Sequence, residues 1–119
     1  MTDRPLLPES KRSPEAAKII SNFHRGTVDE VIKAVEAGGW VIVGMAQNPA
    51  VGKARKILDG AGIKHTYLEY GSYVSEWRRR LAIKLWAGYP LYPMVFHDGV
   101  LIGGASELKK LAESGSLKA

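Results

Sequence analysis

The chain has 119 residues, 45% of them hydrophobic and 24% charged, which is typical of one globular domain rather than of a disordered or membrane-spanning chain. Cysteine is absent, and this excludes a disulfide, a cysteine nucleophile and a cysteine-ligated zinc or iron–sulfur centre made by these residues. A formal charge of +5 is enough to steer anionic partners. We nevertheless interpret most of it as solvated surface and do not expect nucleic-acid binding.

The start of the chain predicts a flexible arm followed by two helices. Residues 1–13 are polar and interrupted by prolines, without a hydrophobic period. Ser13 and Pro14 are typical of a helix start, because serine caps a helix and proline suits its first position. Thr27 and Glu30 have the spacing of a capping box, so we expect a second helix capped by Thr27.

The middle of the chain predicts a strand, a tight loop, a helix and a second strand. Residues 40–43 are a continuous apolar run rich in β-branched side chains, as found at the centre of a sheet. Asn48 and Pro49 supply an N-cap and a first-turn proline for the next helix. Residues 64–70 then alternate well enough to form a second strand.

The last third predicts a helix, a hairpin and a final helix. We expect the helix over residues 74–86, with Arg80 at the flank of its buried face and with three side chains facing the core: Trp77, Leu81 and Leu85. Asp98-Gly99 joins two apolar runs and is the strongest short signal for a hairpin. The final helix is expected over residues 106–113.

This order of elements is typical of the α/β class. A βαβ unit followed by a hairpin and a C-terminal helix predicts a four-stranded mixed sheet with helices on both faces. We expect a single domain over residues 14–119. No apolar run approaches the ~20 residues that cross a bilayer, so we expect a cytoplasmic protein without a targeting or membrane segment.

Residues 89–104 carry a resemblance to a known family. The run Tyr89-Pro90-Leu91-Tyr92-Pro93, followed after the hairpin turn by Ile102-Gly103-Gly104, resembles the glutaredoxins, in particular those of the monothiol type. The similarity extends over residues 27–117. It implies a thioredoxin-like fold, a cis bond before Pro93, and a backbone edge at Tyr92 that pairs with an extended ligand such as glutathione.

Asn48 falls where the resemblance places the nucleophilic cysteine of the family. A helix N-terminus lowers the pKa of a thiol there, but an amide neither ionises near neutral pH nor attacks a disulfide sulfur. Asparagine does serve well as an N-cap. We therefore interpret Asn48 as a structural cap and predict no catalytic residue.

The resemblance assigns further positions to glutathione binding, and this sequence keeps some of them. Arg80 falls on an arginine that holds a glutathione carboxylate, whereas a lysine that meets the same group falls on or near Met45, which has no charge. Ala105 occupies the position of a cysteine in the family. Ser106 occupies the position of an aspartate and offers a hydroxyl instead of a carboxylate. We expect weakened glutathione affinity. The predicted ligand-binding residues are Arg80, Tyr92, Pro93, Gly104 and Ser106.

Two function classes follow from these observations. The first is a non-redox binding or adaptor module that takes a peptide, a thiol compound or a partner protein at Pro93. The alternative is a glutathione-dependent enzyme, for thiol transfer or conjugation, whose nucleophile is the thiolate of bound glutathione. An iron–sulfur carrier lacks its cysteine ligand. No metal site is expected, because His24, His65 and His97 lie on separate elements without ligand spacing.

Overall fold

The computed structural model describes residues 4–118, so residues 1–3 of the predicted arm lie outside the described part. None of the described helices is long and apolar enough to cross a membrane. A short 3₁₀ turn lies at Glu9–Lys11. The helices and strands that follow are α1 (Pro14–Asn22), α2 (Arg25–Glu36), β1 (Trp40–Gly44), α3 (Pro49–Gly60), β2 (His65–Glu69), α4 (Trp77–Ala87), β3 (Met94–His97), β4 (Val100–Gly103) and α5 (Ala105–Glu113).

The four strands form one mixed sheet in the order β2-β1-β3-β4. Strand β1 pairs in parallel with β2 and antiparallel with β3, and β3 pairs antiparallel with β4. All five residues of β1 are buried, as the continuous apolar run predicts for a central strand. The predicted α/β class and four-stranded mixed sheet are confirmed.

Helices cover both faces of this sheet. On one face Ile42 packs with Leu58 of α3 and Leu108 of α5. On the other face Val43 packs with buried side chains of α2 and α4, among them Ile83. Successive residues of a strand point to opposite faces, so the apolar run of β1 supplies both cores at once.

The predicted hairpin turn is also confirmed. Asp98 and Gly99 both have a positive φ, 47° and 84°, which the favoured two-residue hairpin turn requires. The Asp98 carboxylate accepts a hydrogen bond from the Gly39 N–H at 2.7 Å. The turn is therefore tied to the residue that precedes β1.

Helix α2 starts two residues before the expected cap, and the capping-box prediction was wrong. Its first residue is Arg25. The Thr27 hydroxyl accepts a hydrogen bond from Arg79 Nε at 2.8 Å, and the Glu30 carboxylate accepts one from the Tyr70 hydroxyl. Both polar side chains are thus used in tertiary contacts rather than at a helix end.

Helix α4 differs from the sequence prediction in its start and in its buried face. It begins at Trp77, three residues after the expected start at Val74, which is 92% exposed. The three side chains expected in the core are 55%, 37% and 63% exposed (Trp77, Leu81 and Leu85). The buried residues are Arg80, Ala82 and Ile83. Helical spacing placed the apolar residues on one face, but that face is turned away from the sheet.

Candidate functional site

One edge of the sheet brings the predicted site segments together. The strand register pairs Val43 with Met94, and Val95 with Gly103. The loop after β1, the loop before β3 and the segment after β4 therefore meet at this edge. We call this surface the Pro93 edge and define it by Asn48, Tyr92, Pro93, Gly104 and Ser106.

Asn48 caps helix α3, as predicted. Its backbone is extended, and its Oδ1 accepts hydrogen bonds from the N–H groups of Ala50 at 2.9 Å and Val51 at 3.2 Å. Pro49 occupies the first helical position. The side-chain carbonyl is therefore engaged by the helix that it starts, and the amide of Asn48 supplies no nucleophile.

The loop before Asn48 is fastened to the end of β2. The Ala46 N–H donates to the Gly71 carbonyl at 2.7 Å, and the Tyr70 N–H donates to the Gly44 carbonyl at 2.9 Å. Gln47 has a φ of 62°, a left-handed conformation that turns the chain into α3. These bonds hold Asn48 in place relative to the sheet.

A cavity of about 370 Å³ opens beside Asn48, on the side that faces β2. The Arg55 guanidinium carbon lies 4.1 Å from the centre of the Tyr67 ring, and the Tyr67 hydroxyl donates to Glu69 at 2.8 Å. Burial, together with the hydrogen bond to Glu69, raises the pKa of Tyr67. The lining residues are Met45, Ala46, Gln47, Asn48, Pro49, Val51, Gly52, Arg55, Tyr67 and Glu69.

Sequence reasoning missed the polar wall of this cavity. The signal for it is weak but present: Tyr67 and Glu69 alternate on one face of β2, and Arg55 lies seven residues after Asn48, two helical turns along α3. The parallel pairing of β1 with β2 is what brings Tyr67 and Glu69 next to Asn48 and Arg55, and this pairing joins distant parts of the chain.

Tyr92 and Pro93 shape the edge from its interior. The peptide bond between them is cis, and the Pro93 side chain is fully buried. The Tyr92 hydroxyl donates to the Arg80 carbonyl at 2.6 Å, and burial raises the pKa of that hydroxyl. A Cβ atom on Gly104 would lie 3.3 Å from the Pro93 carbonyl oxygen, so glycine permits this close approach.

Arg80 lies on the buried face of α4 and is only 8% exposed. Its Nη1 donates to the backbone carbonyls of Tyr70 at 2.9 Å and Ser75 at 2.5 Å. The guanidinium thus connects the loop after β2 to α4. Its assignment as a ligand for a glutathione carboxylate stays a prediction, and in this structure Nη1 is directed at backbone carbonyls.

The segment after β4 starts helix α5 at Ala105 and leaves Ser106 exposed in the first turn. The Glu107 carboxylate accepts a hydrogen bond from the Gly104 N–H at 2.7 Å and a longer one from the Tyr89 hydroxyl at 3.4 Å. The backbone bond to Gly104 lowers the pKa of Glu107, whereas burial and the nearby Glu107 raise the pKa of Tyr89.

Within residues 4–118, no three His, Asp or Glu side chains cluster closely enough to hold a metal ion.

Comparison with known proteins decides the family. No family model matches the sequence. A glutaredoxin-like protein from Dictyostelium discoideum is 42% identical over 116 residues, which are 98% of this chain and 93% of that protein. The chain belongs to the glutaredoxin-like proteins. The resemblance inferred from residues 27–117 is thereby confirmed, and this glutaredoxin-like protein lacks the cysteine of the related active sites.

Other relatives agree with this assignment. Glutaredoxin 3 from Danio rerio is 35% identical over 77 residues, 63% of this chain and 23% of that protein. Among solved structures, the glutathione complex of buckwheat glutaredoxin superposes with a TM-score of 0.68 at 19% identity, over 78% of this chain and 84% of that one. Reduced glutaredoxin C1 from Populus tremula x tremuloides gives 0.70 at 14% identity, over 82% and 84%. The thioredoxin-like fold of this glutaredoxin-like protein is therefore confirmed.

Proposed function

We propose that this glutaredoxin-like protein is a non-redox binding module that holds a peptide, a thiol compound or a partner protein at the Pro93 edge. The observation that carries the proposal is the capping geometry of Asn48. A nucleophile at the start of α3 would draw on the free N–H groups of that helix to stabilise an anion. Here two of those groups, on Ala50 and Val51, donate to the neutral Asn48 oxygen instead.

The cavity beside Asn48 shares only that residue with the Pro93 edge, and it supports binding next to the edge rather than a purely structural role. Arg55, stacked over the Tyr67 ring, offers a cation, and Glu69, which accepts from the Tyr67 hydroxyl, offers a carboxylate on the same wall. A wall with both charges suits a ligand that carries amino and carboxylate groups, as peptides and glutathione do. Because the loop at Ala46 is already fixed by hydrogen bonds, a ligand would lose little free energy in ordering it.

A titration followed by nuclear magnetic resonance tests the binding site. The ¹⁵N-labelled protein is titrated with reduced glutathione, with S-methylglutathione and with a mixture of short peptides, each to millimolar concentration. We expect the amide signals of Gln47, Asn48 and Glu69 to move, while Val100 on the far strand stays in place. No movement at the Asn48 cavity or at Tyr92, Gly104 and Ser106 with any of the three ligands would contradict binding of a peptide or thiol compound at this edge.

An activity assay tests the non-redox part. The protein is mixed with glutathione, glutathione reductase and a small disulfide substrate, and NADPH consumption is followed. We expect the wild-type rate to equal the background without protein. Turnover well above that background would favour the alternative, an enzyme that uses the thiolate of bound glutathione.

A cysteine placed at Asn48 tests whether the frame of the site is kept. In Asn48→Cys the thiol lies at the N-terminus of α3, so its pKa should fall below the ordinary value of about 8.5. The matched control is Ala61→Cys, at the exposed C-terminal end of the same helix. The rate of alkylation by iodoacetamide, measured across a range of pH, gives the pKa of each thiol. Equal titration of the two thiols would mean that α3 no longer favours an anion at Asn48.

A further inference from the structure

Three lysines converge on a second cavity that adjoins the Pro93 edge at Ser106. We propose that this cavity binds an acidic segment of a partner protein, an inference that rests on the proposed binding function and names its partner class. The cavity has a volume of about 430 Å³ and lies between α3 and α5. We call it the lysine cleft; it is lined by Lys53, Lys56, Ile57, Ala105, Ser106 and Lys109.

Helical spacing directs the lysines into one space. Lys53 and Lys56 lie three residues apart on α3, and Ala105 and Lys109 lie four apart on α5, so each pair shares a helix face. The two helices pack together on one face of the sheet, through buried leucines in each. The single lysine of α5, Lys109, is therefore held opposite the Lys53 and Lys56 pair of α3.

No acidic side chain of the described chain lines the cleft or forms an ion pair with its lysines. Like charges gathered in one cleft repel each other and raise the local potential. An anionic partner relieves that repulsion, which is the charge complementarity on which the proposal depends.

The floor of the cleft favours a peptide over a nucleic acid. Ile57 and Ala105 are partly buried apolar residues, and the lysine stems add further apolar surface. The lining has no aromatic ring for stacking on bases and no arginine for bidentate contact with phosphate. An acidic segment with an apolar side chain between its carboxylates complements both the rim and the floor. Ser106 is shared with the Pro93 edge, so one extended peptide can reach from that edge into the cleft.

The test uses fluorescence anisotropy with a fluorescein-labelled octapeptide of Asp and Glu that carries two central leucines. The wild type is compared with a triple variant of the cleft, Lys53→Glu, Lys56→Glu and Lys109→Glu. The matched control carries Lys18→Glu, Lys33→Glu and Lys64→Glu, three exposed lysines elsewhere, and has the same net charge. Because exposed ion pairs each contribute modestly, the cleft triple is expected to weaken binding about tenfold, whereas the control stays near wild type.

The outcomes separate the cleft from simple charge and from other polyanions. Equal weakening in both triple variants, or equal binding of a peptide with serine in place of leucine, overturns the proposal. Tighter binding of a labelled oligouridine that is lost in the cleft triple would mean a nucleic-acid site instead. Circular dichroism checks folding, and Lys→Gln variants at the same positions replace any charge-reversed variant that does not fold.

The amide titration and the anisotropy measurement together distinguish failure of the cleft proposal from failure of the proposed function. If the amide signals of Asn48 and Glu69 respond to glutathione or peptide while the acidic octapeptide fails to bind the wild type, the cleft proposal alone is wrong. If the octapeptide binds through the cleft lysines while the Asn48 cavity stays silent to every ligand, the cleft stands and the site proposed at Asn48 is wrong.

Discussion

Replacing Asn48 with alanine isolates the capping role of this residue, because the change removes no buried apolar group. In the structure Asn48 Oδ1 accepts two hydrogen bonds, from the N–H of Ala50 at 2.9 Å and from the N–H of Val51 at 3.2 Å. Alanine leaves both donors to water, and loss of such a cap costs about 1 kcal/mol, within a range of roughly 0.5–2. For a domain of this size, 1 kcal/mol corresponds to a fall of about 4 °C in Tm.

Urea denaturation followed by circular dichroism measures this effect in three variants. We expect Asn48→Asp to be at least as stable as the wild type, because a carboxylate at this end of α3 is favoured by the helix dipole. Asn48→Gly should lose a few tenths of a kcal/mol and Asn48→Ala about 1 kcal/mol. Wild-type stability in Asn48→Ala, or an aspartate variant less stable than the alanine variant, would refute the capping argument.

A second cap in the same chain provides the control. Ser13 caps α1 with one hydrogen bond from the Ala16 N–H at 3.1 Å. Helix α1 contains no buried residue, so it can fray without exposing the core. We therefore expect Ser13→Ala to reduce the global free energy of unfolding by less than about 0.5 kcal/mol.

Three further changes test the surroundings of the Pro93 edge. Arg80→Met leaves two backbone carbonyls without their donor and should cost about 2 kcal/mol in urea denaturation, whereas the exposed neighbour Arg78→Met should stay within about 0.5. The lowered pKa of Glu107 means that its carboxylate stabilises the fold above the unfolded-state pKa and loses this effect as pH falls through the folded-state pKa. Wild-type stability should therefore fall more than that of Glu107→Gln between neutral and acid pH, and parallel pH profiles would contradict this. In Gly44→Ala the new Cβ would lie 2.8 Å from Val51 Cγ1, so a loss of about 1–3 kcal/mol is expected, partly recovered by adding Val51→Ala.

Signals that act within a few residues predicted the fold well. The buried run of β1 and the Asp98-Gly99 turn each describe a conformation that few alternatives satisfy. The Asn48-Pro49 pair fixed the start of α3 for the same reason: both residues act on the first turn of the helix that they begin. These features needed no knowledge of distant contacts.

The errors arose where partners distant in sequence decide the outcome. Thr27 and Glu30 have capping-box spacing, but their partners Arg79 and Tyr70 lie 52 and 40 residues further along the chain. Periodicity on α4 identified the residues that share a face without showing which face meets the sheet. Arg80 is buried there because two carbonyls of the preceding loop accept its Nη1, and composition alone assigns an arginine to the surface.

The same distinction between local signals and contacts distant in sequence applies to the candidate site. The cap at Asn48 could be predicted because it is local, whereas the cavity beside it depends on the parallel pairing of β1 with β2. The lysine cleft depends on the packing of α3 against α5, two helices far apart in sequence. Its lysines carry no motif, and only their convergence in space distinguishes them from an ordinary solvated surface.

The distribution of charge around the Pro93 edge links the two proposals. The resemblance places a lysine on or near Met45, where this chain has no charge, and an aspartate at Ser106, where it has a hydroxyl. In this chain the cavity beside Asn48 is lined by one arginine and one glutamate, whereas the lysine cleft is lined by three lysines and no carboxylate. The attraction for an anion is therefore stronger at the lysines between α3 and α5 than at the capped N-terminus of α3. This distribution suits an acidic partner held along the flank of the Pro93 edge, and it gives no advantage to a site that must activate a thiolate at its centre.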